Sequence, residues 1–269
     1  MTNVPNRDEL FRDVFKFLGE IDFNKTNPEV IDETFKMVKE YIGNEDPYLN
    51  IRRYYNRLFL EMEKEFEDKI SASNSPIETA IKYAILGNII DFNPIHTTKM
   101  EDVMTYFNEV DHRELIINNV AELIDELKRG KTLLYLGDNC GEICLDKILV
   151  KQIKALNPRL DIYFGTRGAA VVNDSIEEDA YAVGIDKYAK VVSNGDYSLG
   201  TVLERASDKF KEIYKKADVV IAKGQANYES LSEEKDKSIY FMLMTKCEVI
   251  ASDIGVAQKS MICMRRCVD

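Results

Sequence analysis

The stretch Leu133-Leu134-Tyr135-Leu136-Gly137-Asp138-Asn139-Cys140-Gly141-Glu142 decides how the rest of the chain reads. Four apolar residues in a row, entered from Gly130-Lys131-Thr132, predict a short buried strand. The run stops at Gly137, and a helical pattern with an acid in its first turn begins at Glu142. Strand, glycine-bounded turn and helix make the first unit of a parallel α/β sheet, with the turn at the carboxyl end of the strand, where open α/β sheets bind ligands. Loops that cradle phosphate directly offer glycines and backbone N–H groups, whereas this turn offers a carboxylate and a carboxamide side by side. Asp138 repels a bare phosphate but favours a hard cation that holds one, because Mg²⁺ takes one or two carboxylates plus phosphate oxygens. A plain polar turn, with Asp and Asn bonding to local backbone, is the competing reading.

Composition narrows the classes. A chain of 269 residues suits one large domain or two modest ones. A formal charge of -11 and a pI near 4.9 argue against nucleic-acid or anionic-membrane partners, which select basic patches. No apolar run is long enough to span a bilayer, and Met1-Thr2-Asn3-Val4-Pro5 is no signal peptide. Five scattered cysteines do not resemble a secreted disulfide framework, so the expected location is cytoplasmic.

Working outward, residues 6 to about 128 carry almost no strand signal. Phe11, Val14, Phe15 and Leu18 lie at helical spacing, Ile51 to Ile70 reads as one long charged helix, and Pro76 opens the next, Ile77 to Ile90. A last helix is expected from Asp111 to Leu127. Beyond Thr132 the period changes. Expected strands are Thr132–Leu136, Asp161–Gly165, Ala189–Ser193, Asp218–Ala222 and Glu248–Ser252, with a short one at Ala169–Val172. The pattern predicts an α/β fold in which an all-helical N-terminal region (1–128) packs on a mostly parallel, Rossmann-like three-layer domain (129–269).

Several side chains are candidates for chemistry. Asp174 follows an apolar run; Ser175 with Glu178 forms a capping box that leaves Asp174 free as an oxygen ligand. Lys223 and Lys246 follow or adjoin expected strands and suit a phosphoryl group. Arg167 in Gly165-Thr166-Arg167-Gly168 is either a phosphate contact or part of a surface turn. Asn88 and Asp91 need no role beyond ending a helix. Cys140, near a helix start, is expected to have a lowered pKa. Cys263 and Cys267 form one pair without a second, and neither histidine has a ligand partner at metal spacing.

At these residues the chain resembles the metal-dependent damage-control phosphatase family, in its archaeal branch. The matching pieces are Gly87-Asn88-Ile89-Ile90-Asp91-Phe92, Gly137-Asp138-Asn139-Cys140-Gly141-Glu142, Arg167-Gly168 leading to Asn173-Asp174, and Lys223-Gly224-Gln225-Ala226-Asn227-Tyr228-Glu229, with a weaker Lys246-Cys247 stretch. The resemblance implies a divalent metal ion (Mg²⁺, Mn²⁺, Co²⁺ or Ni²⁺) on Asp138, Asn139 and Asp174. It implies Lys223 or Lys246 on substrate phosphate, and Asn88, Asp91, Arg167, Asn227 and Glu142 on the substrate side. Archaeal members begin with a Cys-x-x-Cys segment; this chain starts downstream of it, so whatever that pair does is expected to be absent here.

The expectation is therefore a metal-dependent phosphatase of small phosphorylated metabolites, with no nucleic-acid or membrane partner and with Glu142 or Asp91 as candidate bases. Two alternatives stand beside it: a non-catalytic metal- or metabolite-binding module, and an S-adenosylmethionine-dependent methyltransferase, whose glycine loop Leu134 to Gly141 loosely resembles. Substrate, metal and oligomeric state are left open.

Overall fold

The structure, a computed structural model, describes residues 7–23, 25–89, 107–235 and 237–266. The chain opens with helices α1 (Arg7–Gly19), α2 (Asn27–Ile42), α3 (Leu49–Ala72) and α4 (Pro76–Leu86). A strand β1 (Leu115–Asn118) and helix α5 (Val120–Arg129) lead into β2 (Thr132–Leu136) and α6 (Glu142–Leu156). There follow β3 (Asp161–Thr166), α7 (Glu177–Val183), β4 (Lys190–Ser193), α8 (Asp208–Lys216), β5 (Val219–Lys223) and α9 (Gly224–Leu231). β6 (Ile239–Met244), α10 (Glu248–Ile254) and β7 (Met261–Arg266) complete the described fold.

The strands form one seven-stranded sheet in the order β1-β7-β6-β5-β2-β3-β4. Its one antiparallel pairing is β6 with β7, so β6, β5, β2, β3 and β4 run one way and β7 and β1 the other. Side chains alternate across the sheet into two cores. Leu133, Tyr135, Val219 and Ile221 join the core beneath α3, α4 and α6, while Leu134, Leu136, Val220 and Ala222 join the core beneath α8 and α9. Burial on both faces is why β2 and β5 read as continuous apolar runs. From β2 the chain steps outward through β3 to β4, then returns to β5 on the other side of β2. That reversal between β2 and β5 opens a crevice at their carboxyl ends.

The N-terminal helices are fastened to the sheet domain by polar as well as apolar contacts. Arg52 on α3 has no exposed surface. Its guanidinium donates to Asp46 in bidentate fashion (2.6 and 2.7 Å) and to Asp179 on α7 (2.9 Å). One turn along α3, the Asn56 amide donates to Asp179 (2.9 Å) while its oxygen accepts from the Gly141 N–H (2.7 Å). The turn after β2 is thus gripped from the helical side.

Several expectations are corrected. Glu248–Ser252 is helix α10 and not a strand; only Ile250 and Ala251 are buried, and Val249 faces solvent, a helical and not an alternating pattern. The strands there are β6, wholly buried, and β7. The helix expected from Asp111 starts at Val120, because Leu115-Ile116-Ile117, with its two β-branched residues, pairs with β7 as β1. Residues before 129 therefore contribute a strand as well as helices. Ala169–Val172 forms no strand; Val172 adopts φ 44 in a loop. The helix from Pro76 ends at Leu86, followed by a 3-10 turn, Gly87–Ile89. Gly87 lets that turn lie close against α6, where a Cβ would meet Leu145 Cδ1 at 2.8 Å.

Removing one partner of a buried, multiply bonded ion pair leaves the others uncompensated. Arg52→Ala is expected to destabilise the protein by roughly 3 kcal/mol, read as a lowered urea midpoint with an unchanged slope; a midpoint within error of wild type would refute the fastening role.

Candidate active site

Residues 137–141 carry the chain from β2 into α6 at the crevice. The backbone oxygen of Asp138 accepts from the Ser175 N–H (2.8 Å) and hydroxyl (3.0 Å), and the Cys140 N–H donates to Asn173 O (2.9 Å). Asn139 and Asp174 pair in an isolated antiparallel bridge, and the Asn173 amide donates to Asn139 Oδ1 (2.8 Å). Two loops far apart in sequence are thereby laced together, which places Asp138, Asn139 and Asp174 side by side.

Their side chains form one buried network. Asn88 Nδ2 donates to Asp138 Oδ2 (2.6 Å) and Glu142 Oε2 (3.0 Å), and Asn139 Nδ2 reaches the same two oxygens (2.8 and 3.3 Å). Arg167 donates through Nε to Asp174 Oδ2 (2.6 Å) and lies 3.4 Å from Asp138 Oδ1 through Nη2. At the carboxyl end of β5, Lys223 Nζ donates to Ala84 O (2.8 Å), to Asp146 Oδ1 (2.8 Å) and to Glu142 Oε1. The next residue, Gly224, has φ +79, and a Cβ there would fall on the Asp138 carboxylate.

The network is unbalanced. Asp138, Glu142, Asp146 and Asp174 are all buried, and the buried cations among them are Lys223 and Arg167. Fully ionised, four carboxylates against two cations leave a formal charge of −2. Burial pushes Glu142 up to about 7 against the pull of Lys223, with Asp146 and Asp138 adding to the rise. Burial likewise pushes Asp174 up to about 7, opposed by Arg167 and assisted by Asp138. Burial disfavours the charge on Lys223, but Asp146 and Glu142 more than offset this and raise it above the ordinary lysine range.

A divalent cation fits this donor set. Arg167 already stands between Asp138 and Asp174 as a cation bridging two carboxylates, and the oxygen donors are of the kind that hard ions take. Among the described residues, no group of three Asp, Glu, His or Cys side chains is arranged to hold a metal, and the Asn139 amide oxygen, which accepts from Asn173, is the further oxygen donor beside Asp138 and Asp174.

The remaining expected residues fall in different places. Lys246 is exposed just beyond β6, close enough for its charge to act on Asp174. Lys223, expected on substrate phosphate, has no surface and three acceptors. Arg167 is buried and belongs to no surface turn. Asn227 spends its amide on Gly137 O (3.1 Å) and Lys223 O (2.7 Å) and its oxygen on Thr201, so it ties β2 to β5. Ser175 does not cap α7; Asp179 accepts from the Ile176 N–H instead (3.1 Å), because Ser175 is drawn to Asp138. Burial, followed by the charge of Asp179, raises the Cys140 thiol where a helix start was expected to lower it. Asp91 lies outside the described residues. The sequence reading missed Asp146 and Tyr135, whose hydroxyl donates to Asp146 Oδ1 (2.6 Å). The available signal was the four-residue spacing of Glu142 and Asp146, which places both on one helix face.

Residues 2–262 match the family model of the damage-control phosphatase ARMT1-like domain. The chain belongs to this family. A damage-control phosphatase of Pyrococcus horikoshii is 34% identical over 232 residues, covering 86% of this chain and 78% of that protein. A damage-control phosphatase of Archaeoglobus fulgidus is 32% identical over 237 residues, covering 88% and 81%. A crystal structure of a DUF89 family protein from P. horikoshii superposes with a TM-score of 0.82 at 31% identity, covering 97% of this chain and 92% of that one. The family fold, a mostly parallel α/β sheet, is the one described above. No helix among the described residues is long and apolar enough to cross a membrane.

Two outcomes are expected of this site. Gly224→Ala should cost about 1–3 kcal/mol from backbone strain alone, and more from the clash with Asp138, seen as a lowered denaturant midpoint. Glu142 and Asp174 hold protons in the folded state that the unfolded chain releases above its ordinary values of 4.5 and 3.8. Their contribution to metal-free stability is therefore full below those values and lost as pH rises to about 7. Thermal melts in chelator from pH 5 to 8 should show Tm falling across that window, and a rise would contradict the assignment.

Proposed function

We propose that this protein is a divalent-metal-dependent phosphatase that hydrolyses phosphate esters of small metabolites, sugar or cofactor phosphates among them. The observation that carries the reading is the burial of four carboxylates with two cations at the switch point of the sheet, beside an exposed lysine. Membership of a phosphatase family supports the reaction class. Asp138, Asn139 and Asp174 would hold the ion, whether Mg²⁺, Mn²⁺, Co²⁺ or Ni²⁺. When bound, such an ion supplies positive charge for phosphoryl oxygens and lowers the pKa of water.

The chain's own residues divide the remaining work. Asn88 donates one N–H to Asp138 and one to Glu142, fixing the direction of both carboxylates. Arg167 holds Asp174 through Oδ2, which leaves its other oxygen available. Lys246, at the rim, offers its ammonium to a phosphoryl oxygen, where it offsets charge that builds as the ester bond breaks. Lys223 neutralises Glu142 from below and does not meet substrate in this arrangement. Glu142 is committed to Lys223, Asn88 and Asn139, which suits it to orienting those groups. Overall, water delivers its oxygen to phosphorus and a proton to the departing alkoxide.

The test is hydrolysis of a chromogenic phosphate ester in chelator and with each of the four metals. Turnover should require metal and vanish in Asp138→Ala. Lys246→Ala should raise KM about tenfold with a smaller change in kcat, the loss of one charge-assisted contact. Metal-induced stabilisation of wild type without turnover on any ester would instead favour a binding module.

A further inference from the structure

We propose that Asp146, steadied by Tyr135, is a positioning residue for the site, acting through Lys223 and Glu142; the inference rests on the metal-dependent phosphatase reading above. Glu142 and Asp146 lie one turn apart on α6, both without exposed surface, and aim at the same ammonium group. Asp146 Oδ1 accepts from Lys223 (2.8 Å) and from Tyr135 (2.6 Å), while Oδ2 is buried with no partner among the described residues. A carboxylate with an unsatisfied buried oxygen is costly, although removing it would also strip Lys223 and Tyr135 of a buried acceptor. Pairing with Lys223 alone, which Glu142 already provides, does not explain this second charge.

Its connections do. Tyr135 is held by stacking on Phe164, with ring centroids 5.3 Å apart and planes 14° from parallel. From that fixed hydroxyl, single hydrogen bonds run to Asp146, to Lys223, to Glu142, and then to the Asn88 and Asn139 amides that contact Asp138. Two effects reach the oxygen ligands along this chain. Asp146 shares the Lys223 ammonium, so Glu142 keeps charge density for the two amides. Asp146 also supplies one of the four negative charges that make the cluster complementary to a divalent ion. Without its charge, Lys223 is drawn wholly to Glu142, the amides are held less firmly, and the cluster loses one negative charge.

The experiment measures Mn²⁺ binding by the electron paramagnetic resonance signal of free Mn²⁺ in wild type, Asp146→Asn, Tyr135→Phe and Asp138→Ala. It is paired with kcat and KM at saturating Mn²⁺ and with thermal melts in chelator. Asp146→Asn keeps both hydrogen bonds accepted at Oδ1, removes the charge and places an amide NH2 where Oδ2 stands. It should bind Mn²⁺ about tenfold more weakly, within the usual range for an outer-shell partner. Its kcat should fall with KM little changed, whatever the change in metal-free Tm. Tyr135→Phe should shift Mn²⁺ affinity in the same direction by a smaller factor, and it carries the test alone if Asp146→Asn does not fold. A purely structural role would lower Tm and leave Mn²⁺ affinity intact; that result in the folded variants overturns this inference while wild-type binding, lost in Asp138→Ala, leaves the phosphatase reading standing. Failure of wild type itself to bind Mn²⁺ overturns this inference and confines the phosphatase reading to Mg²⁺, Co²⁺ or Ni²⁺.

Discussion

A carboxylate taken out of water costs several kcal/mol unless charge and hydrogen bonds compensate it, and this protein buries four of them together with two cations at the carboxyl ends of its central strands. Much of the surrounding architecture can be understood as the supply of partners to that cluster. Lys223 ends β5 and enters from below, Arg167 follows β3 and spans two carboxylates, and Asn88 arrives from the turn after α4 with both amide hydrogens engaged. With all four ionised, the compensation stops short of neutrality by the charge of one divalent ion, and burial answers by raising Glu142 and Asp174 to about 7.

The helical N-terminal elements have a definite part in this. Ala84 contributes a carbonyl to Lys223, Asn88 orients two carboxylates, and Asn56 holds the N–H of Gly141 at the entrance to α6. Arg52 then joins α3 to α7, the helix that follows the Asp174 loop. The site is therefore shared between the helical layer and the sheet, and neither part alone presents the full network.

Two lysines at neighbouring strand ends show how position decides role. Lys223 is the last residue of β5, and its side chain passes into the packed layer where Glu142 and Asp146 await it. Lys246 lies two residues beyond the end of β6, clear of that layer, and stays hydrated. Only a hydrated ammonium can exchange water for a phosphoryl oxygen without first breaking a buried ion pair.

The sequence by itself determined β2, the turn after it and the mostly parallel sheet, because burial on both faces of a strand demands an apolar run and a glycine-bounded turn interrupts it. It also marked Asp138, Asn139 and Asp174, since acids and amides at the ends of apolar runs stand out from their surroundings. The strand Leu115–Asn118 was hidden because four residues beside a helix carry too little periodicity, and Glu248–Ser252 was misread because its three apolar residues, Val249-Ile250-Ala251, fit either period. The pairing of Lys223 with Glu142 and Asp146, the descent of Asn88 onto Asp138 and the bridge of Arg167 were decided only in the tertiary structure. They depend on which strand ends lie side by side and which helix covers them, contacts between residues seven to eighty-one apart in the chain that no local pattern encodes.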